Sequence, residues 1–371
     1  MVIRSPAKKS NQQRDHPVND HPPVNDHHQQ RGSDADDDFK RQKRFEILQC
    51  LRNPNVNLCH LRSLCLSKGG LIGSDLRQQS WTKLLGIDTS TFIRTGMNTV
   101  SATGGVLEEC HHDDDDDDDD DDADTDHQAP VHVLPCADLI SIDVNRAVYF
   151  RYKTTNTNTK DGEKKEEACP TSTAGEKLQA LIASAMRNLD PQDFSYYQGF
   201  HDVSSVLLFN IPNIELASSI LIQVARIFLR DAMMKDFSNI SSLLDISFYP
   251  LLRTIDSDLY HRLSDQGLQP TIVLPWIITL FSHDIHDSNV SSRLFDAIFA
   301  SHPLFPLYLS IAVLTHETNR QVLFDPECAD PMMLHVAVKR LISNIVDDFG
   351  QTDEDGQVTI QSIIDNALKY M

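Results

Sequence analysis

The sequence lacks the short motifs that mark most nucleotide-dependent and metal-dependent enzymes. It contains no Gly-x-x-x-x-Gly-Lys-Ser/Thr loop to cradle a phosphate, so the chain is not itself a P-loop GTPase. His-Glu-x-x-His, Cys-x-x-Cys and Gly-x-Ser-x-Gly are also missing, which argues against the common zinc sites and against a hydrolase nucleophile. The segment Asp353–Gly356 hints at a calcium loop, but Gln351 and Ser362 then occupy positions that need carboxylates.

Long apolar runs and an excess of positive charge are missing too. The most apolar stretch, Leu304–Leu314, contains a proline and is too short for a membrane span, which needs about 20 residues. The net charge is −21, and ten of these charges lie in the run Asp113–Asp122. This acidity argues against nucleic acid as a partner and against simple attraction to anionic lipids. The seven cysteines are scattered and no early apolar stretch resembles a signal peptide, so we expect a cytoplasmic chain without a transmembrane segment.

Residues 1–38 form a polar tail rich in proline, asparagine, aspartate, histidine and glutamine. They have too little apolar surface to offset the entropy of ordering, so we predict that this tail is disordered. Four histidines in it could suggest a metal site, but their irregular spacing among prolines gives no fixed ligand geometry. They are His16, His21, His27 and His28.

Residues 39–371 have the pattern of one helical domain. Apolar residues recur at helical spacing, and no alternating pattern with hairpin turns supports a sheet, so we predict an all-α fold of many helices. Two polar insertions interrupt the pattern, at about 88–136 and 153–173, and we predict that both are disordered. The aspartate run lies in the first insertion, where weak binding of calcium or of a basic protein is the alternative.

Two helices carry the residues that matter most for function. One begins near Asp138, and we predict that Leu139 and Ile142 face inward from it. The other is predicted to begin at Tyr196, with Ser195 as its cap. Its first turn would lie near the positive end of the helix dipole, which favours a phosphate nearby.

The remaining helices follow from the same hydrophobic spacing. Ser74 opens a helix that carries Trp81, for which core packing is the plain interpretation. A last helix follows Thr359, and its apolar stripe is predicted to dock on the domain core. Further helices are predicted at about 214–235, 240–255, 257–266, 270–283, 288–300, 305–316 and 332–346.

Three short segments hold the candidate functional residues. They are Arg77-Gln-Gln-Ser-Trp81, Ile140-Ser-Ile-Asp143-Val-Asn-Arg146 and Tyr196-Tyr197-Gln198-Gly199. Asp143 and Arg146 lie three residues apart and can pair, and an ordinary surface ion pair is the alternative to a functional role. Gln198 can accept a hydrogen bond from a water through its carbonyl and donate one through its amide, and Gly199 allows close approach of the backbone. Arg77 is interpreted as a structural pairing residue.

The ordered set of segments resembles the TBC-domain family of Rab GTPase activators. The family's signatures are Arg-x-x-x-Trp, Ile-x-x-Asp-x-x-Arg and Tyr-x-Gln in this chain order, and Trp276–Phe281 and Arg293–Asp296 are similar to its carboxy-terminal half. The resemblance implies that Arg146 is an arginine finger and Gln198 a glutamine finger, both supplied in trans to a Rab in its GTP form. It implies an enzyme activator rather than an enzyme. GTP and Mg²⁺ would be bound by the partner, and the chain would need no cofactor of its own.

The segment Tyr196–Asp202 is similar to the subgroup that is tail-anchored in the endoplasmic reticulum and acts on early-secretory Rabs. The resemblance implies a role in vesicle trafficking, at the periphery of the endoplasmic reticulum or of early secretory membranes. That subgroup carries a transmembrane tail after the domain, whereas this sequence stops at Met371; a soluble relative and a shortened product both remain open.

Three other interpretations compete with the activator, of which a membrane tether acting through the final amphipathic helix is weakened by the acidic surface. A TBC-like scaffold could grip a GTPase or another partner without accelerating hydrolysis, but a scaffold has no need to keep both Arg146 and Gln198. His201 and Asp202 could form an acid–base pair, but adjacent residues point in different directions on a helix.

Overall fold

The computed structural model describes residues 27–53, 55–88, 136–154, 171–348 and 357–371. Within these ranges the regular secondary structure is helical, and the only β-type pairing is an isolated parallel bridge between Val346 and Thr359. The prediction of an all-α fold is therefore confirmed. The α-helices are α1 His27–Arg52, α2 Leu58–Leu66, α3 Ser74–Leu84, α4 Ala137–Thr154, α5 Thr171–Arg187, α6 Phe200–Asn210, α7 Ile214–Ile227, α8 Ser238–Ile255, α9 Ser257–Ser264, α10 Leu274–Ile278, α11 Ser288–Ala300, α12 Phe305–Thr315, α13 Glu317–Leu323, α14 Pro331–Arg340 and α15 Ile360–Tyr370. Short 3₁₀ helices occupy Pro270–Val273, Pro326–Cys328 and Ile342–Asn344.

The first helix begins earlier than predicted. α1 starts at His27, inside the predicted tail of residues 1–38, and the disorder of that tail stays a prediction. The later part of α1 packs into the core through Ile47, and helix propagation from such a nucleus adds one hydrogen bond per residue. A rule based on local composition does not include that gain. Residues 1–26 lie outside the described residues.

The two predicted insertions lie mostly outside the described residues, namely at 89–135, which includes Asp113–Asp122, and at 155–170. The second insertion was predicted from residue 153 to 173, and α4 and α5 extend into its two ends. The domain division and the disorder of both insertions stay predictions.

A buried carboxylate on α11, that of Asp296, connects this helix with α3 and with the loop before α3. Asp296 accepts hydrogen bonds from the Trp81 indole at 2.9 Å, from Arg77 Nε at 3.1 Å and from the Leu71 backbone N–H at 3.0 Å. Gly70 has φ of +53°, and a Cβ there would lie 2.6 Å from the same carboxylate. Arg77 and Trp81 are thus structural residues that connect α3 to α11, as the sequence indicated.

A second buried side chain of α11, Arg293, connects the end of α2 with the segment around Asp348 and with α15. Arg293 donates to the backbone carbonyls of Cys65 and Leu66 near the end of α2. It also contacts Asp348 at 3.4 Å and Gln361 at 2.7 Å. α15 packs mainly against α12, which agrees with the predicted docking of its apolar stripe. In the part of the chain that the structure describes, no helix combines the length and apolar content that crossing a membrane requires.

Two long predicted helices are interrupted near the site. The helix predicted at 214–235 ends at Ile227, and the chain continues irregularly. The helix predicted at 270–283 is a 3₁₀ turn followed by the short α10, after which Leu280 and Phe281 have φ of 48° and 67°. This turn of the chain buries Trp276 and Phe281 together, with ring centroids 6.2 Å apart. It also directs the next residues towards the pocket described below.

Candidate functional site

Arg146 and Gln198 line the same surface pocket, which has a volume of about 410 Å³. They come from different elements, since Arg146 lies on α4 and Gln198 lies in the turn before α6. The far walls are the segment 283–286, which follows α10, and the end of α14 with Lys339 and Arg340. The structure therefore brings together the two residues that the sequence singled out.

α4 holds Arg146 at the edge of the core. Ile140 and Val144 are buried, and Asp143 on the same face is only 1% exposed, whereas the Arg146 side chain is 61% exposed. The prediction that Leu139 and Ile142 face inward is wrong, because they are 43% and 52% exposed. The inward face of α4 includes Asp143, a polar residue that hydrophobic spacing assigns to the surface.

Asp143 is buried because it is paired. The Tyr196 hydroxyl donates to Asp143 Oδ2 at 3.0 Å, and the same oxygen lies 3.8 Å from His201 Nδ1. Arg146 Nη1 lies 3.6 Å from Asp143 Oδ1, which makes an ion pair longer than a hydrogen bond. Burial, and secondarily Asp143, raises the pKa of Tyr196 above its usual value, so the hydroxyl stays protonated and remains a donor.

The turn that carries Gln198 depends on a glycine. α6 begins at Phe200, not at Tyr196, and Gly199 with φ of +115° is its N-cap. Gln198 therefore precedes the helix and lies exposed at the turn. A Cβ at position 199 would lie 2.9 Å from Thr279 Cγ2, so the turn packs tightly against the segment after α10. The left-handed glycine breaks the helical path that hydrophobic spacing alone suggested.

The residues around Gln198 are anchored on both sides. Ser195 does not cap α6; its backbone N–H donates to the Met233 carbonyl at 2.5 Å. Tyr197 is buried, and its hydroxyl donates to the Ile278 carbonyl. Its ring packs edge-on against Phe237 at 5.9 Å. An exposed glutamine is thus held by a backbone with buried neighbours.

Sequence reasoning missed a polar network below the pocket. His201 and Asp202 are both buried, and Gly199 N–H donates to His201 Nδ1 at 3.3 Å. His201 Nε2 lies 3.6 Å from Asp202 Oδ2, and that oxygen is 2.8 Å from His283 Nδ1. The sequence argument against a His201–Asp202 pair was that adjacent residues of a helix point apart, yet at the start of α6 these two side chains lie 3.6 Å from each other. Two polar residues in the first turn of a mostly apolar helix, two and three positions after Gly199, were the available signal.

Charge at the pocket is unlike that of the whole chain. Arg146, Lys339 and Arg340 give its rim a positive character, and all three are exposed. Burial raises the pKa of Asp284, which lies in the wall of the same pocket. Across the described ranges, no three His, Cys, Asp or Glu side chains come together as a metal site. The arrangement is equipped for positioning and for stabilising negative charge.

Comparison with known proteins places these observations in a family. Residues 74–323 match the family model described as the Rab-GTPase-TBC domain. TBC1 domain family member 20 of Mus musculus is 25% identical over 318 residues, covering 85% of this chain and 65% of the relative. The Homo sapiens protein of the same name is 24% identical over 315 residues, with 85% and 65% covered. The chain thus spans slightly less than two thirds of the length of these relatives.

A shorter match and two solved structures agree with this result. GTPase-activating protein gyp10 of Schizosaccharomyces pombe is 32% identical over 155 residues, covering 41% of this chain and 40% of the relative. The crystal structure of the Ypt/Rab-GAP domain of Gyp1p has a TM-score of 0.51 at 13% identity, covering 89% of this chain and 98% of that one. The Chlamydomonas flagellar RabGAP TBC domain has a TM-score of 0.52 at 14% identity, covering 91% and 96%. At these identities the structures show a shared fold.

Proposed function

We propose that this chain, which belongs to the Rab-GTPase-TBC domain family, accelerates GTP hydrolysis by a Rab-family small GTPase in its GTP form. In this proposal Arg146 and Gln198 enter the nucleotide site of the partner, and the partner binds GTP and Mg²⁺. The observation that carries the proposal is that these two side chains, from separate elements, line one open pocket. The chain is then an activator that contributes catalytic residues and carries no cofactor of its own.

Arg146 is suited to stabilise charge on the transferred phosphoryl group. Its guanidinium is always charged and its planar donors fit phosphate oxygens. An arginine supplied in this way is worth roughly 10³–10⁵ in rate. Because Arg146 is 61% exposed and its ion pair with Asp143 is long at 3.6 Å, the side chain can reach outwards without breaking a short hydrogen bond. Asp143 keeps its hydrogen bond to Tyr196 when Arg146 moves.

Gln198 is suited to orient the attacking water. Its amide has both an acceptor and donors, and it lies at the tip of a turn whose neighbours are buried. It would take the place of the glutamine that a GTPase supplies from its own switch segment. Neither Gln198 nor Arg146 has to exchange a proton, so positioning and electrostatics account for the whole contribution.

We further propose that the partner belongs to the early secretory pathway and that the chain works at the cytoplasmic face of its membranes. This proposal rests on the segment Tyr196–Asp202, whose sequence is similar to that of the subgroup that acts on early-secretory Rabs. It names a class of partner and not one particular Rab.

A single-turnover hydrolysis screen over GTP-loaded Rab proteins tests the proposed function. Wild-type chain should accelerate hydrolysis by at least one early-secretory Rab, and Arg146→Ala should remove most of that acceleration. Arg62→Ala is a matched control, since Arg62 is an exposed arginine on α2 and does not line the pocket. Binding of a GTP-loaded Rab without acceleration anywhere in the panel would instead support the scaffold. Absence of both binding and acceleration would contradict the two interpretations together.

A further inference from the structure

We infer that His201 is a positioning residue that joins Arg146 and Gln198 into one rigid unit. This inference rests on the proposed function and concerns how the two side chains are held at a fixed separation. The juxtaposition behind it is that one imidazole ring contacts both the anchor of Arg146 and the turn that carries Gln198.

His201 lies at the start of α6 and is almost completely buried. Its Nδ1 accepts the Gly199 backbone N–H at 3.3 Å, which fixes the peptide directly after Gln198. The same nitrogen lies 3.4 Å from the Tyr196 hydroxyl and 3.8 Å from Asp143 Oδ2. Nδ1 therefore forms a hydrogen bond with the turn that carries Gln198 and lies within 3.8 Å of the Tyr196–Asp143 pair that anchors Arg146.

The other side of the ring is fixed as well. An N–H donor facing Nδ1 requires a lone pair there, so the neutral ring carries its hydrogen on Nε2. That nitrogen lies 3.6 Å from Asp202 Oδ2, and Asp202 is in turn bound to His283 at 2.8 Å. The ring is thus oriented from α6 and from the segment after α10. Orientation from two elements is what a positioning residue needs.

Such a coupling matters because the two side chains have separate supports. α4 carries Arg146, and a turn with a left-handed glycine carries Gln198. Without a shared contact, each support could shift relative to the other. A misplacement of about 1 Å can cost on the order of 10²-fold in rate even when binding is intact. His201 acts through Gly199 and Asp143, so its loss should lower kcat more than it raises KM.

Three substitutions of His201 distinguish the loss of its hydrogen-bond acceptor from the loss of its packing. His201→Asn places a carbonyl oxygen near the position of Nδ1, and His201→Leu has nearly the shape of asparagine without an acceptor. His201→Gln is also polar but reaches the position of Nε2. We expect His201→Leu and His201→Gln to lower kcat for the matched Rab by about 10-fold or more, with KM within about 2-fold. We expect His201→Asn to keep most of the activity, and His60→Leu on α2 serves as the control.

Hydrogen exchange in the free protein supplies a readout that does not need GTPase activation. A peptide covering Tyr196–His201 should exchange faster in His201→Leu and His201→Gln than in wild type, and His201→Asn should resemble wild type. If His201→Leu does not fold, the polar variant His201→Gln still allows the comparison with His201→Asn. Equal effects of all three substitutions, or no effect of any, on both exchange and kcat would overturn the inference. A wild-type chain that activates no Rab would instead contradict the proposed function, and the exchange data would still decide the role of His201.

Discussion

Two arginine–aspartate pairs in this molecule have the same chemistry and opposite surroundings. Arg77 and Asp296 lie 3.1 Å apart with side chains 6% and 0% exposed, whereas Arg146 and Asp143 lie 3.6 Å apart with 61% and 1% exposed. In both pairs the carboxylate is buried and hydrogen-bonded to other groups. The difference lies in the arginine, which is enclosed in one pair and reaches the surface in the other.

The comparison shows why an arginine–aspartate pair stabilises the fold in one place and leaves its arginine accessible to a partner in the other. Asp296 has buried donors on α3 and in the loop before it, and the Arg77 side chain is itself buried. Asp143 keeps a separate donor in Tyr196, so its site does not depend on Arg146 remaining in place. A carboxylate satisfied by a second donor can release its arginine to a partner. A carboxylate that shares its arginine with the core cannot.

Removal of the exposed arginine should produce the largest change. Arg146→Ala is expected to lower single-turnover acceleration by roughly 10³-fold or more, because an arginine contributed in trans is worth 10³–10⁵ in rate. Arg146→Lys should restore little of the acceleration, since an ammonium lacks the planar paired donors of a guanidinium. The melting temperature should stay close to that of wild type. A large loss of stability in Arg146→Ala would erase the contrast with Arg77.

Removal of the buried arginine should act on folding instead. Arg77→Ala leaves Asp296 with an uncompensated charge in the core and should lower the free energy of unfolding by about 3–5 kcal/mol. Urea unfolding measures this change. The matched control is Arg44→Ala on α1. It breaks an exposed pair with Asp75, which lies on α3 like Arg77, and should cost less than about 1 kcal/mol. Equal costs for the two variants would show that burial does not separate these pairs.

A substitution beside Asp296 sharpens the same contrast. Gly70→Ala adds a Cβ 2.6 Å from the carboxylate at a residue with φ of +53°. We expect a loss of about 1–3 kcal/mol in unfolding free energy from backbone strain, together with displacement of Asp296. Gly86→Ala is the control, because it has a similar φ of +68° but open space around the added atom. A smaller effect at Gly70 than at Gly86 would contradict the tight packing around Asp296.

The smallest expected effect concerns the positive rim of the pocket. Reversing both Lys339 and Arg340 to glutamate should raise KM for the Rab by about 10-fold and leave kcat nearly unchanged, because rim charges steer association. The effect should shrink as ionic strength rises. Reversal of Arg62 and Lys83, which are exposed away from the pocket, changes the net charge equally and is the control. If both double variants behave alike, net charge explains the effect and the rim does not.

The sequence was sufficient for the fold class and for the family, because apolar spacing and ordered motifs are local properties. The buried faces of the helices were mostly recoverable, as with the apolar stripe of α15 that docks on α12. The inward face of α4 was not, since Asp143 is buried only because Tyr196, more than fifty positions later in the chain, meets it. Its burial depends on tertiary pairing, which no local pattern contains.

The site shows the same limit in another form. Arg146 and Gln198 were identifiable from motifs, but the far wall of their pocket was not. Lys339 and His283 belong to elements that no motif connected with the first two residues, and they meet them only through the packing of distant helices. The start of α6 was missed because Gly199 adopts a left-handed conformation in a turn that packs closely against Thr279. Such a contact is visible only in three dimensions.

The buried guanidinium of Arg293 has a practical consequence for shortened forms of the protein. It links carbonyls near residue 66 to Asp348 and Gln361, so the folding unit extends well past the stretch that matches the family model. A fragment cut at the boundaries of that match, residues 74–323, would remove all five of these hydrogen-bond acceptors of Arg293, namely Cys65, Leu66, Ser67, Asp348 and Gln361. Expression of such a fragment should therefore yield aggregates.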